Sequence, residues 1–145
     1  MRAALDEAMK ALDKHEVPIG AVVVANDMII ARAHNLTETL NDPTAHAEIL
    51  VLRKGGEVLK NYRLDETVVY VTAEPCPMCA SAMVHSRISR LVFGTYEPKF
   101  GAVQSKFKLL NGNGVNHRVK TDRGILEREC AEILKSFFKE KRLSK

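Results

Sequence analysis

Three cysteines in 145 residues are too few, and odd in number, for the disulfide framework of a small secreted domain. With two of them in one C-x-x-C pair they fit metal binding or reduced thiols instead. Long apolar runs are missing too. The most apolar stretch, Ile19 to Ala25 (IGAVVVA), falls far short of the roughly 20 residues a membrane-spanning helix needs. The opening MRAALDEAMKALDKHE is interrupted by acidic residues where a signal peptide would need an unbroken apolar block. These absences point to a cytoplasmic protein. Internal repeats, low-complexity tracts and linkers are also lacking, so residues 1–145 read as one domain. What is present is an ordinary globular composition, 46% hydrophobic and therefore able to build a core, and 28% charged. The net charge of +4 is most visible in the tail KSFFKEKRLSK, either a solvated helix face or a surface for a polyanion such as nucleic acid.

Leu5, Ala8, Met9 and Leu12 recur at helical spacing and predict an amphipathic helix over the first fifteen residues. IGAVVVA and MIIARAH read as two strands joined through Asn26 and Asp27, residues that tolerate the left-handed geometry of a tight hairpin. Asp42 and Thr44 are cap-type residues around Pro43, which predicts a helix from about 44 to 54, ended by Gly55-Gly56. TVVYVT at 67–72 has the unbroken β-branched and aromatic character of a strand buried on both faces. Pro75 and Pro77 forbid its continuation, and a helix over 77–86 and a strand over 90–94 complete a right-handed βαβ unit. Residues 95–115 read as loop with one short helical piece at VQSKFKLL, and NHRVKT as an edge strand. Leu126, Cys130, Ile133, Leu134, Phe137 and Phe138 mark a last helix. The expected fold is a three-layer α/β/α domain around a central mixed sheet of about five strands.

His46 and Glu48 lie two positions apart in TAHAEIL, about 200° around a helix axis, so they can converge only on something over the helix's open end. Cys76 and Cys79 stand at the start of another helix, where free N–H groups and the positive end of the dipole favour thiolates. One histidine and two cysteines make three zinc donors. Structural zinc sites close with four protein ligands, whereas catalytic ones keep a position for water, so this trio leans towards an open ion that activates water. Glu48, beside a ligand without being one, then has the placement of a proton shuttle. Each motif alone is weak. C-x-x-C could be a redox pair or ordinary packing, but neither explains His46 and Glu48. Cys130 reads as core. His15, His34 and His85 have structural readings, and any of them could close the site as a fourth ligand.

H-A-E followed by P-C-x-x-C on this alternation of elements resembles the zinc-dependent cytidine and deoxycytidylate deaminase superfamily. EVPIGAVVV, HN at 34–35, DPTAHAEIL, NYRL, YVTAEPCPMCASAMVHSRI, VFG and NHRV are similar, in order, to segments of the bacterial tRNA-specific adenosine deaminases. The resemblance implies that His46, Cys76 and Cys79 hold one Zn2+ per subunit and that Glu48 moves protons. It implies that water adds to C6 of adenine and ammonia leaves, giving inosine at the wobble position of a tRNA anticodon, with arginine tRNA the leading species. It further implies that Asn35 contacts the flipped nucleoside, that the backbone at Ala47 and Glu74 lines the pocket, and that the enzyme is a homodimer. Asn35 could equally be a turn residue ending a strand. Glu97 stands where the family generally has aspartate, in a loop facing the anticodon. Lys99 and the basic tail are phosphate contacts on this view, and Tyr96 or Phe100 a stacking surface. The chain begins at its first helix with little leader, so contacts made by extensions elsewhere are not assumed. Two other functions share these motifs: a deaminase of free nucleobases, nucleosides or nucleotides, and a non-catalytic nucleic-acid-binding module with a structural zinc.

Overall fold

The computed structural model describes residues 1–112 and 114–144. Its elements follow in the order α1 (Arg2–Asp13), β1 (Gly20–Ala25), β2 (Met28–His34), α2 (Ala47–Leu59), β3 (Val68–Ala73), α3 (Pro77–Ser86), β4 (Arg90–Thr95), β5 (Lys120–Arg123) and α4 (Glu127–Leu143). The sheet order is β2-β1-β3-β4-β5, with β1 antiparallel to both neighbours and β3, β4 and β5 mutually parallel. Asn26 and Asp27 both take positive φ, 51° and 61°, the mirror-image turn that matches strand twist and joins Ala25 to Met28. The expected three-layer arrangement is present.

Alternation along the strands divides the helices between the two faces of the sheet. Ala21, Val23, Val69, Val71, Leu91 and Phe93 point into the main core with Val51 and Leu52 of α2 and Ala80 and Met83 of α3. The opposite face takes α1 and α4, and here the backbones come close. A Cβ on Gly20 would meet the Ala4 carbonyl and lie 2.5 Å from Ala8 N, and one on Gly94 would meet Cys130 Sγ and lie 2.7 Å from Thr72 O. Small residues are therefore required where the two helices cross the sheet. Cys130 is fully buried in this contact, the packing role the sequence suggests.

Three boundaries and one short helix differ from the sequence reading. Helix α2 starts at Ala47, not Thr44, because the Thr44 N–H and hydroxyl both donate to Asp42 Oδ1 (2.8 and 2.7 Å), making a turn before the helix. It also runs through Gly55-Gly56 and stops at left-handed Lys60 (φ 54°). Gly55 is buried where a Cβ would come 3.3 Å from Leu64 Cδ1, so its smallness serves packing rather than termination. VQSKFKLL forms turns, not a helix, because the N–H groups of Val103, Gln104 and Ser105 are bound by the Glu74 carboxylate and those of Lys106 and Phe107 by Gly101 O. The edge strand begins at Lys120, since Val119 N–H donates to Asn111 Oδ1 instead of the sheet.

The link between β2 and α2 is built on Glu16, 1% exposed. Its carboxylate accepts the N–H and hydroxyl of Thr39 (both 2.6 Å), Glu38 N–H (3.2 Å) and the Thr37 hydroxyl (3.4 Å). Burial works against the charge, but the bonds from Thr39 and its neighbours outweigh it and hold the carboxyl below the usual glutamate range. Its folded-state pKa is depressed, so its stabilisation is complete above pH 4.5 and is lost as pH falls through the lowered value. Glu16→Gln should accordingly flatten the acid limb of the stability curve below pH 4.5, read by urea unfolding at successive pH values. Gly20→Ala should lower stability by about 3 kcal/mol, because its Cβ meets backbone that cannot move aside. A denaturation midpoint within error of the native chain would contradict the packing described.

Candidate metal and active site

Two helices begin on metal-donor residues. His46 is the N-cap of α2 and Cys76 the N-cap of α3, both with extended backbone (φ −75°, ψ 151° and φ −74°, ψ 173°), and neither makes a side-chain capping bond. Their side chains are turned instead towards each other. Cys79 lies in the first turn of α3, behind Pro77, which needs no N–H partner there. His46 Nδ1 is 3.6 Å from Cys76 Sγ and 3.5 Å from Cys79 Sγ, and all three donor atoms lie within 4.8 Å of one another. An ion bound tetrahedrally at about 2.1 Å from nitrogen and 2.3 Å from sulfur would separate such donors by roughly 3.6 Å. The distances fit.

The proton balance points the same way. The Cys79 thiol hydrogen-bonds Cys76 and, against the penalty of burial and with help from His46, brings the Cys76 thiol down to about 4. His46 is raised, chiefly by its hydrogen bond with Cys76, and Cys79 is pushed upwards by Cys76 and by burial. One thiolate is thus stabilised by a proton held on each neighbour, a set whose protons a divalent cation would replace. No fourth histidine, cysteine, aspartate or glutamate joins the cluster among the described residues. His34 is engaged elsewhere, with Nδ1 on Glu7 Oε1 (3.0 Å) and Nε2 on Lys14 Nζ (3.0 Å).

Glu48 sits in the first turn of α2, 4% exposed, and its Oε1 is buried without a hydrogen-bond partner among the described residues. Burial pushes this carboxyl up to about 7, opposed in part by His46. A buried carboxylate oxygen with nothing to bind is expensive in an inert core and is explained by a species the protein itself does not supply.

The remaining sequence candidates lie on the segments that lead into α2 and α3, at the first residue of α2 and in the loop after β4. Asn35 is buried just after β2, with its N–H on Ile19 O (3.1 Å) and its Nδ2 on Thr37 Oγ1 (3.5 Å). The next residue, Leu36, donates to Ala45 O (3.0 Å), one residue before His46. Ala47 is fully buried as the first residue of α2. Glu74 directly precedes Pro75 and Cys76, and its carboxylate faces away into the loop at 97–105. In that loop Glu97 is partly exposed, its Oε1 accepting Lys99 N–H (3.0 Å), and Lys99 is exposed. Ser105, which donates its hydroxyl to Glu74, carried no sequence signal, nor did Glu16.

A family model described as MafB19-like deaminase matches residues 1–142. Over 145 residues the chain is 48% identical to the tRNA-specific adenosine deaminase of Bacillus subtilis (strain 168), covering 100% of this chain and 90% of that one. The chain belongs to the tRNA-specific adenosine deaminase family. The Haemophilus influenzae member is 46% identical over 146 residues, covering 100% of this chain and 84% of its own. A solved structure from work on A-to-I editing by tRNA:A34 deaminases at the wobble position of transfer RNA superposes with a TM-score of 0.90 at 47% identity, covering 92% of this chain and 97% of the other. No helix among the described residues is long and apolar enough to cross a membrane.

This deaminase-family chain is expected to take up one equivalent of a divalent transition metal. Cys79→Ala should bind it at least ~100-fold more weakly in competition with a chromogenic chelator. Equal affinity in the variant would show that the trio is not the site.

Proposed function

We propose that this chain is a zinc-dependent hydrolase that converts adenosine to inosine at the wobble position of a tRNA anticodon. The observation that carries the reading is the unpartnered, buried Glu48 Oε1 beside a three-donor cluster with no fourth protein ligand among the described residues. A structural zinc would require that fourth ligand and would leave Glu48 without a role. When bound by His46, Cys76 and Cys79, one zinc per chain supplies the Lewis acidity that makes water a nucleophile at neutral pH.

Glu48 performs the proton transfers. It takes a proton from the attacking water as oxygen joins C6 of adenine and delivers it to N1, then carries the second proton from the new C6 hydroxyl to the amino group, so that the C6–N bond breaks, the carbonyl forms and ammonia departs. Water and adenosine are consumed, inosine and ammonia formed, and Glu48 ends as it began. A carboxyl near 7 both accepts and releases a proton readily at neutral pH. Asn35, with the backbone at Ala47 and Glu74, holds the flipped nucleoside in this scheme, while Glu97 and Lys99 face the anticodon, Lys99 towards phosphate. The activity for which the relatives are named supports RNA as the substrate. The enzyme works as a homodimer in the cytoplasm. Support for pairing comes from the hollow of about 790 Å³ beside α2 and α3, where Ile49, Tyr62 and Ala82 stand among Arg53, Glu57 and His85, and support for the compartment from three unpaired cysteines.

Glu48→Gln should keep the fold and a full complement of zinc yet deaminate an anticodon stem-loop carrying wobble adenosine about 10³- to 10⁴-fold more slowly. The native protein should convert that stem-loop and leave free adenosine, cytidine and guanine unchanged. Ammonia release from a free base or nucleoside, with no inosine in the RNA, would replace this reading by a small-molecule deaminase.

A further inference from the structure

We propose that the Glu74 carboxylate is a positioning residue that fixes the 97–105 loop in the shape that receives RNA, a role that rests on the RNA reading above. The side chain is 4% exposed and its two oxygens collect five hydrogen bonds from one loop. Oε1 accepts the N–H of Glu97 (3.1 Å) and the hydroxyl of Ser105, and Oε2 accepts the N–H groups of Val103 (3.1 Å), Gln104 (2.8 Å) and Ser105 (2.9 Å). Every partner is a donor, and no cation bridges the carboxylate among the described residues. This is an anion-binding nest whose anion is built into the protein. The oxygens are already engaged and covered, so the side chain organises the loop rather than touching the nucleic acid.

Three further contacts tie the loop to Glu74 and its neighbour. Gly101 passes so near that a Cβ there would lie 2.5 Å from Glu74 Cδ and 2.6 Å from Oε1. Ala102 N–H donates to Pro75 O (2.8 Å), while Glu74 N–H donates to Thr95 O (2.9 Å), so both ends of the loop are tied to the residues that lead into Cys76. Carried on it are Glu97, Lys99 and Phe100, the last 55% exposed. Glutamine cannot replace the carboxylate, because its NH2 would face N–H donors.

Zinc-loaded Glu74→Gln and Gly101→Ala are compared with the native protein, the second variant disturbing the nest from the loop side and leaving every metal donor and Glu74 in place. Amide hydrogen exchange of Glu97, Val103, Gln104 and Ser105 should accelerate at least ~tenfold, with zinc unchanged at one per chain. KM for the stem-loop should rise ~tenfold or more while kcat falls by less than ~threefold, the signature of lost binding rather than lost chemistry. Should Glu74→Gln not fold, Ser105→Ala removes one bond of the five and should move the same amides by a smaller factor. Unchanged exchange at these amides overturns the proposal whatever the activity. A fall in kcat at constant KM also overturns it, by placing Glu74 in the chemistry. A native protein that exchanges as expected but leaves the stem-loop unmodified refutes the RNA reading and not the loop-fixing nest.

Discussion

His46, Cys76 and Cys79 meet because two helices start at the same place in space with their capping positions given over to metal donors. An N-cap is normally filled by serine, threonine, aspartate or asparagine, whose side chain satisfies a first-turn N–H and contributes ~1 kcal/mol. Here the caps of α2 and α3 are histidine and cysteine and make no such bond. Local stability is forgone at both helix mouths so that imidazole and thiolate face one point under two positive helix ends. The sheet supplies the alignment. The chain leaves β3 at Ala73 and reaches the Cys76 cap within three residues, and the parallel β3–α3–β4 unit holds that turn at the carboxyl end of the strand, where open α/β sheets place their ligands.

Three buried glutamates around this arrangement show how environment assigns roles to one residue type. Glu16 and Glu74 are 1% and 4% exposed, and burial disfavours their charge, yet hydrogen-bond donors, Thr39 foremost for one and Ser105 for the other, hold both below the ordinary range. Glu48 is equally buried, at 4%, but has an oxygen with no donor, and burial prevails and lifts it to about 7. Glu16 and Glu74 are held as anions at neutral pH, and each orders a loop through its hydrogen bonds. Glu48 alone is placed to exchange a proton at neutral pH, and a perturbed carboxyl beside three metal donors is the combination that distinguishes a reactive site from a structural one.

Features fixed by short-range chemistry were readable from the chain alone. Asn26-Asp27 announced the hairpin, Pro75 and Pro77 separated β3 from α3, and the i, i+2 offset of His46 and Glu48 already required a helix end as the meeting point. Features decided by distant partners were not. Gly55-Gly56 looks like a helix stop, and only contact with Leu64 reveals it as a packing device. VQSKFKLL has helical composition, but its N–H groups are captured by a carboxylate some thirty positions earlier, a competition that no window around residue 105 contains. The family resemblance implied only a backbone role for Glu74. Its side chain points the other way.

That orientation joins two functions in three consecutive residues. Glu74 orders the 97–105 loop, Pro75 accepts a hydrogen bond from Ala102, and Cys76 is a candidate metal donor and the cap of α3. A shift of this turn would move the loop and the donor together, so the loop proposed to receive RNA and the cluster of His46, Cys76 and Cys79 share one support. The same linkage secures Glu97. Its backbone N–H is held by Glu74, its carbonyl receives the N–H of Gly101 (2.8 Å), and its own carboxylate is occupied by Lys99 N–H. With the main chain anchored on both sides, a change of side chain at 97 displaces only the side chain itself. On the RNA reading proposed above, such a change would retune recognition without disturbing the candidate metal donors one short turn away.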